Sequence, residues 1–288
     1  MTAWKRFRRN PLGLIGLFLT SFFALVAVFA PLIAPVNEAV DRTFTIPNQM
    51  LQQGFSPIPV APSAEHPFGL TSNGYDIFFG VVWGSREAFV IGLFVVALSL
   101  LVGLLIGTIS GYFGGWLDNV MMRFTDVMFA FPSLVLLIVL VTVVGRNLLG
   151  IMLAIALLGW TQYARLVRSE ILKVKRLDFV DAARAMGAFD QRIILRHVLP
   201  NSLTSVLVIV SLDIGTVVVT FAALSFLGIG APAGFPDWGQ LINFSRNWLS
   251  QPQYWYTYVY PGLAIVLFVL GWTLIGDALR EAIDPRGE

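Results

Sequence analysis

Six runs of mostly apolar residues, at about 11–34, 88–113, 120–144, 148–167, 199–227 and 258–279, constrain this chain more than any other feature. A helix must run for on the order of 20 apolar residues to cross about 30 Å of hydrocarbon, and each of these runs is long enough. The first, "PLGLIGLFLTSFFALVAVFAPLIA", carries no charge at all, and the fifth contains a single acid, Asp213. Composition points the same way: 57% of residues are hydrophobic, only 12% are charged, and the mean hydropathy is +0.77. Soluble domains carry about 25% charged residues, so one water-soluble core cannot hide this much apolar surface. The expected fold class is an all-α membrane protein with six transmembrane helices.

Basic residues orient the spans, because Lys and Arg accumulate in cytoplasmic loops. With both termini cytoplasmic, 15 of the 19 Lys and Arg residues fall inside, among them Lys5, Arg123, Arg165, Arg168, Lys175, Arg184, Arg280 and Arg286. Only Arg42, Arg86, Arg146 and Arg246 then lie outside. The N-terminal "KRFRR" before an apolar run also fits a signal peptide, but the run is too long and Pro31 and Pro35 crowd a cleavage site, which favours an uncleaved anchor. Between the first two spans lies a long outside segment rich in Pro, Ser, Asn and Gln, expected to be ordered without a core of its own.

Several chemistries are excluded. No Gly-Lys-Ser or Gly-Lys-Thr occurs, so no Walker A loop is present, and neither G-x-S-x-G nor H-E-x-x-H appears. Cysteine is absent, and the two histidines, His66 and His197, fall on opposite sides of the membrane. No metal, no cofactor and no nucleic-acid partner is therefore expected of this chain, and a catalytic site is not expected either.

Asp213 is the clearest deep acid and has two readings: a group on a solute pathway, or a carboxylate hydrogen-bonded to a neighbouring helix, which is the more ordinary outcome. Asp126 and Asp277, near the cytoplasmic ends, are expected to pair with Arg123 and Arg280 at i, i+3. Gly103, Gly107 and Gly111 recur every four residues and predict a flat stripe for close helix packing, with Gly114-Gly115 ending that helix. The aromatic "QPQYWYTYVYPG" before the last span reads as an interfacial belt.

The most charged inside loop contains "DAARAMGAFDQRIILRHVLP", residues 181–200. Asp178 is positioned to N-cap a short helix whose apolar face holds Phe179, Ala182, Ala183, Met186 and Phe189, opposite Asp181, Arg184 and Ala188. Gly187 permits a left-handed turn or a close approach by another chain, Asp190 is placed to cap a second helix, and Pro200 starts or bends the fifth span. Such a helix can lie in the headgroup zone or dock on protein; its alanines suit a tight protein groove better than lipid.

With these spacings, Asp181-Ala182-Ala183, Gly187 and Leu199-Pro200 resemble the Glu-Ala-Ala motif of permease subunits in binding-protein-dependent ABC importers, with Asp replacing Glu. The likeness runs from about residue 66 to 286 through "HPFG", "GYFGGWLDNVMMRFTDVMFAFPSLVL", "LLGWTQYARLVRSEIL", "LSFLGIG" and "GDALREAIDPR", and is closest to the C-type subunits of the oligopeptide, dipeptide and nickel group. It implies a type I importer fold, with a core at 87–280 preceded by an extra N-terminal span and outside segment over 1–86, and a tail at 281–288. It also implies a coupling helix at about 178–190, where Asp181, Ala182, Ala183, Arg184 and Gly187 meet an ATPase subunit and Leu199 and Pro200 pass motion to the fifth span. The implied partners are a second homologous permease, two ATPase subunits that bind ATP and Mg, an extracytoplasmic solute-binding protein and the lipid bilayer of a prokaryotic inner membrane. One departure stands out: the family's Thr-Asp and Gly-Arg-Asp before the second span are here Thr71-Ser72 and Gly74-Tyr75-Asp76.

The function expected is that of a peptide permease coupling ATPase motion to alternating access, with nickel or another small solute as the alternative cargo. An ion-coupled carrier is the competing class. It would need several titratable groups in the membrane, and it has no use for a cytoplasmic docking helix.

Overall fold

The computed structural model describes residues 6–36, 50, 52–54 and 56–283, so Lys5, Arg42, Arg286 and the tail beyond 283 lie outside the described residues. Helices dominate: α1 Pro11–Ile33, α2 Ile77–Phe113, α3 Gly115–Ala130, α4 Ser133–Val144, α5 Leu148–Val174, α6 Asp178–Ala185, α7 Asp190–Ile193, α8 Leu199–Phe226, α9 Trp238–Phe244 and α10 Tyr256–Ile283. Five of the hydrophobic segments are straight enough and long enough to span a membrane: α1, α2, α5, α10, and α7 running on into α8.

The third expected span is different. The run at 120–144 reads as one helix, but α3 and α4 meet at 96°. Pro132 has no N–H to give and pushes the residue before it out of the helical region, and Phe131 is extended at φ −92°, ψ 142°. The third expected span is therefore a broken pair of helices, and mean apolarity could not show the break.

The core forms where α2 and α5 pack side by side, with α8 closing against both and against α10. The glycine stripe makes the α2–α5 seam possible. A Cβ on Gly103 would overlap Tyr163 Cβ, one on Gly107 would come within 2.6 Å of Ala164 O, and one on Gly111 within 3.1 Å of Arg168 O. Lipid gives no hydrophobic drive for helices to associate, so this close dispersion contact holds the pair together. Gly114 and Gly115, at φ +69° and +62°, end α2 as expected. A second small-residue seam, not anticipated from the spacing, joins α1 to α10, where Gly13 sits against Ala278 and Gly16 against Gly271 and Leu274.

At 37 residues α2 is about 55 Å long, well over the hydrocarbon thickness. It begins at Ile77, eleven residues before the expected span, so Arg86 and the buried Glu87 sit inside the helix instead of in the loop before it. Asp76 caps it, its Oδ1 accepting from Phe79 N at 3.0 Å while Oδ2 lies 2.7 Å from His66 Nδ1. The outer segment does not build its own core; it borrows one. Met50 and Tyr75 pack with Leu241 of α9, and Tyr75 stacks on Phe244 at 4.8 Å. The substitution at position 75 thus fills an aromatic slot. The aromatic run that leads into the first turns of α10 also packs within the protein: Tyr256 is buried and Tyr260 stacks on Phe68 at 4.1 Å.

Helix α9 is capped by Asp237, whose carboxylate accepts from Gly239 N and Gln240 N at 3.1 Å each. Burial pushes the Asp237 carboxyl up to about 6 against the opposing pull of the Ser225 side chain and these two amides.

Candidate functional site: the short helix between α5 and α8

Helix α6 is positioned by two side chains. Val180 and Ala183, one turn apart, are buried in the main core, and nearly everything else on the helix is exposed. Asp178 and Asp181 lie in its first turn, where the helix dipole favours them. Asp178 is not the cap, because the chain turns one residue earlier and Leu177 takes that position with no side-chain hydrogen bond. Asp190 is likewise the first residue of α7 and not its cap, which is Phe189.

The apolar face expected from spacing is divided. Ala183 turns inward with Val180, while Phe179, Ala182, Met186 and Phe189 face outward, the last two at 82% and 83% exposure. The inward register is set by Val180, which the 179–182–186 series leaves out. The outer face also carries the Asp181–Arg184 pair at 3.0 Å. A pair this exposed contributes at most about 1 kcal/mol, so its charges remain open to another surface.

Gly187 ends the helix in a Schellman turn at φ +81°. Its N–H donates to Arg184 O and the Ala188 N–H to Ala183 O, at 3.0 and 3.1 Å. A Cβ there would meet nothing within 4 Å. Of the two uses of this glycine, the structure shows the left-handed turn.

Two long-range contacts fasten the loop to the bundle, a third ties α5 to α3 beside it, and pair spacing could not foretell them. Tyr112 at the end of α2 donates its hydroxyl to Asp190 Oδ1 at 2.5 Å. Lys175 reaches back to the carbonyls of Gly111 and Tyr112 at 2.8 and 3.1 Å. Burial, with Arg176 close by, holds the Lys175 ammonium below its ordinary pKa. Arg168 grips Asp118 through Nε and Nη2 at 2.5 and 2.6 Å, and Ser110 donates to the same carboxylate. Asp126 takes Arg165 of α5 at 2.6 Å instead of Arg123, and no ion pair joins Asp277 to Arg280 among the described residues.

Leu199 and Pro200 open α8 directly after a π-helical turn at Ile194–Val198. Pro200 lacks the N–H that a regular turn would require, and the widened turn absorbs the loss. Side chains bond nearby carbonyls: Asn201 Nδ2 donates to His197 O at 2.6 Å and Ser202 Oγ to Val198 O at 2.8 Å. Pro200 therefore neither breaks nor sharply bends the segment.

Asp213 lies farther along α8, with Oδ2 accepting the Tyr163 hydroxyl of α5 at 2.8 Å. It also lines a cavity of about 610 Å³ between α2, the α3–α4 break, α5 and α8. It is bonded to a neighbour and it faces open space. No three His, Asp or Glu side chains among the described residues are placed to share a metal ion.

Residues 103–287 match the family described as the binding-protein-dependent transport system inner membrane component. The chain belongs to this family. Its first 53 residues match the N-terminal transmembrane domain of oligopeptide transport permease C, so α1 is a second, separately recognised unit. The permease is 40% identical over 284 residues to the dipeptide transport system permease protein DppC of Alkalihalophilus pseudofirmus, covering 99% of this chain and 89% of that one. It is 36% identical over 284 residues to the glutathione transport system permease protein GsiD of Pectobacterium atrosepticum, covering 98% and 90%. Among solved structures, the MetNI methionine ABC transporter matches 72% of the permease and 98% of its own chain at 19% identity and a TM-score of 0.57, which establishes the shared fold. The permease is thus a multi-pass inner-membrane subunit of a binding-protein-dependent ABC importer, with the type I fold, and is the membrane component and not the ATPase.

Proposed function

We propose that the permease forms half of a translocation pathway for di- or oligopeptides, beside a second homologous permease. Two relatives that match it nearly end to end are named for dipeptide and glutathione transport, and both cargoes are peptides. Two ATPase subunits, holding ATP and Mg, would supply the motion, and an extracytoplasmic binding protein the solute. Both termini would be cytoplasmic, as the distribution of Lys and Arg favours.

Helix α6 is the proposed coupling element. The observation that carries this is its exposure: on a helix anchored by only Val180 and Ala183, Ala182, Met186 and Phe189 are exposed and Phe179 is covered in part beside the His197 ring at 6.4 Å. Asp181, Ala182, Arg184 and Gly187 would meet the ATPase, and Ala183 would hold the helix to the bundle. Leu199 and Pro200 would carry its displacement through the π turn into α8. ATP-driven closure of the ATPases would then shift the bundle between two packings, as alternating access requires.

Co-purification through a tag on this chain tests the assembly. Recovery with a second permease and two ATPase subunits is expected, and a lone chain that transports peptide overturns the proposal.

A further inference from the structure

Four of the hydroxyls that line the cavity beside Asp213 have their protons turned to the backbone. Ser99 Oγ donates to Ala156 O, Thr161 Oγ1 to Leu158 O, Thr216 Oγ1 to Leu212 O and Thr220 Oγ1 to Thr216 O. A hydroxyl has one proton, so each of these four groups has spent its donor on backbone and turns only acceptor lone pairs outward. Asp213 adds a carboxylate, and it is the only charged residue lining the cavity. Tyr163, itself buried against Gly103, occupies one lone pair of Oδ2 and fixes the carboxylate in place. The remaining lone pairs are open to a ligand. Ser133 and Gln162 are the other polar residues in the lining, and the remainder is apolar, with Phe129, Leu134, Ile155 and Val217 among it.

We infer that this cavity receives the cationic amino terminus of the peptide in transit, with Asp213 as its counter-charge and the four spent hydroxyls as acceptors for the remaining ammonium protons. A primary ammonium offers three donors and no acceptor, which is the complement of Asp213 and these four hydroxyls. The apolar surface around them accommodates side chains without selecting among them. Asp213 is then a specificity-determining residue held in position by Tyr163. The assignment rests on the peptide reading above.

The test uses the assembled transporter in proteoliposomes with its binding protein. This chain contains no cysteine, so Thr216→Cys gives it a single thiol on the cavity wall, read by mass spectrometry of this subunit. Relative to their rates with a free thiol in solution, a cationic ethylammonium methanethiosulfonate should react about tenfold faster there than the anionic ethylsulfonate reagent. Asp213→Asn in the same background should bring the ratio close to one. In uptake of a dipeptide with a free amino terminus, Asp213→Asn should lose about tenfold and Asp213→Glu should retain most of the rate. Equal normalised rates for the two reagents with Asp213 present, or uptake by Asp213→Asn at the unaltered rate, overturns the assignment. If Asp213→Asn does not assemble, the reagent ratio on Thr216→Cys alone decides. A complex that keeps the reagent preference but imports no dipeptide sinks the peptide reading itself. One that imports dipeptide without the preference sinks only the role of Asp213.

Discussion

The α2–α5 seam and the α6 turn both depend on glycine, for opposite reasons. At Gly103 and Gly107 the φ angles are helical and there is no space: a Cβ would collide with Tyr163 or the backbone of Ala164. At Gly187 there is space on every side and the constraint is φ +81°. One glycine serves packing within the chain, the other a turn on a surface that the chain leaves uncovered. The seam joins two helices of the bundle; the turn is where the proposed coupling helix ends.

Substitution separates the two. Gly107→Leu forces a branched side chain into the backbone of α5 and should cost on the order of 3 kcal/mol or more. The expected outcome is loss of assembled complex, read by detergent-solubilised yield and thermal melting. A variant that melts like the parent would mean the seam is looser than its geometry. Gly187→Arg should leave insertion and assembly intact, with a strain of about 1–2 kcal/mol, while uptake falls at least several-fold relative to ATP hydrolysis. Normal uptake in that variant would remove the docking role of the turn. Tyr112→Phe is the mildest, deleting only the hydroxyl that reaches Asp190, and should cost about 1–2 kcal/mol. Its expected signature is faster hydrogen exchange over α6 and α7 with the α2–α5 seam unchanged. If the seam also loosens, the loop and the bundle are not the separable regions described above.

Much of this organisation is legible in the residues themselves. Apolar runs place the five long helices to within a few residues at several ends, because lipid forces the backbone to satisfy its own hydrogen bonds and leaves little choice but helix. The four-residue glycine period gives the seam, because the period is nearly one helical turn. The short helix at 178–185 and its glycine stop follow from local rules of the same kind.

The rest depends on which elements meet. Asp126 had Arg123 one turn away and bonds Arg165 of another helix instead. Asp118 and Arg168 are 50 residues apart, and Tyr112 and Asp190 are 78 apart. A local period cannot encode such partners. The face of α6 illustrates the limit most clearly, since spacing put Ala183 with Phe179 and Met186, and packing against the bundle turned it the other way with Val180. At Pro132 both kinds of information were present, and the apolar average masked a 96° break.

The sequence alone, then, determined that this chain lives in lipid, how many hydrophobic segments it has, where one helix must lie flush against another, and where a short helix with a glycine stop interrupts them. These follow from solvent and from periods of a few residues. Only the tertiary structure decided which wall of the bundle Asp213 faces, that the hydroxyls around it have given their protons to backbone, and which side chains hold α6 in place. Each of those depends on distances between residues far apart in the chain, and such distances are fixed only when the helices pack.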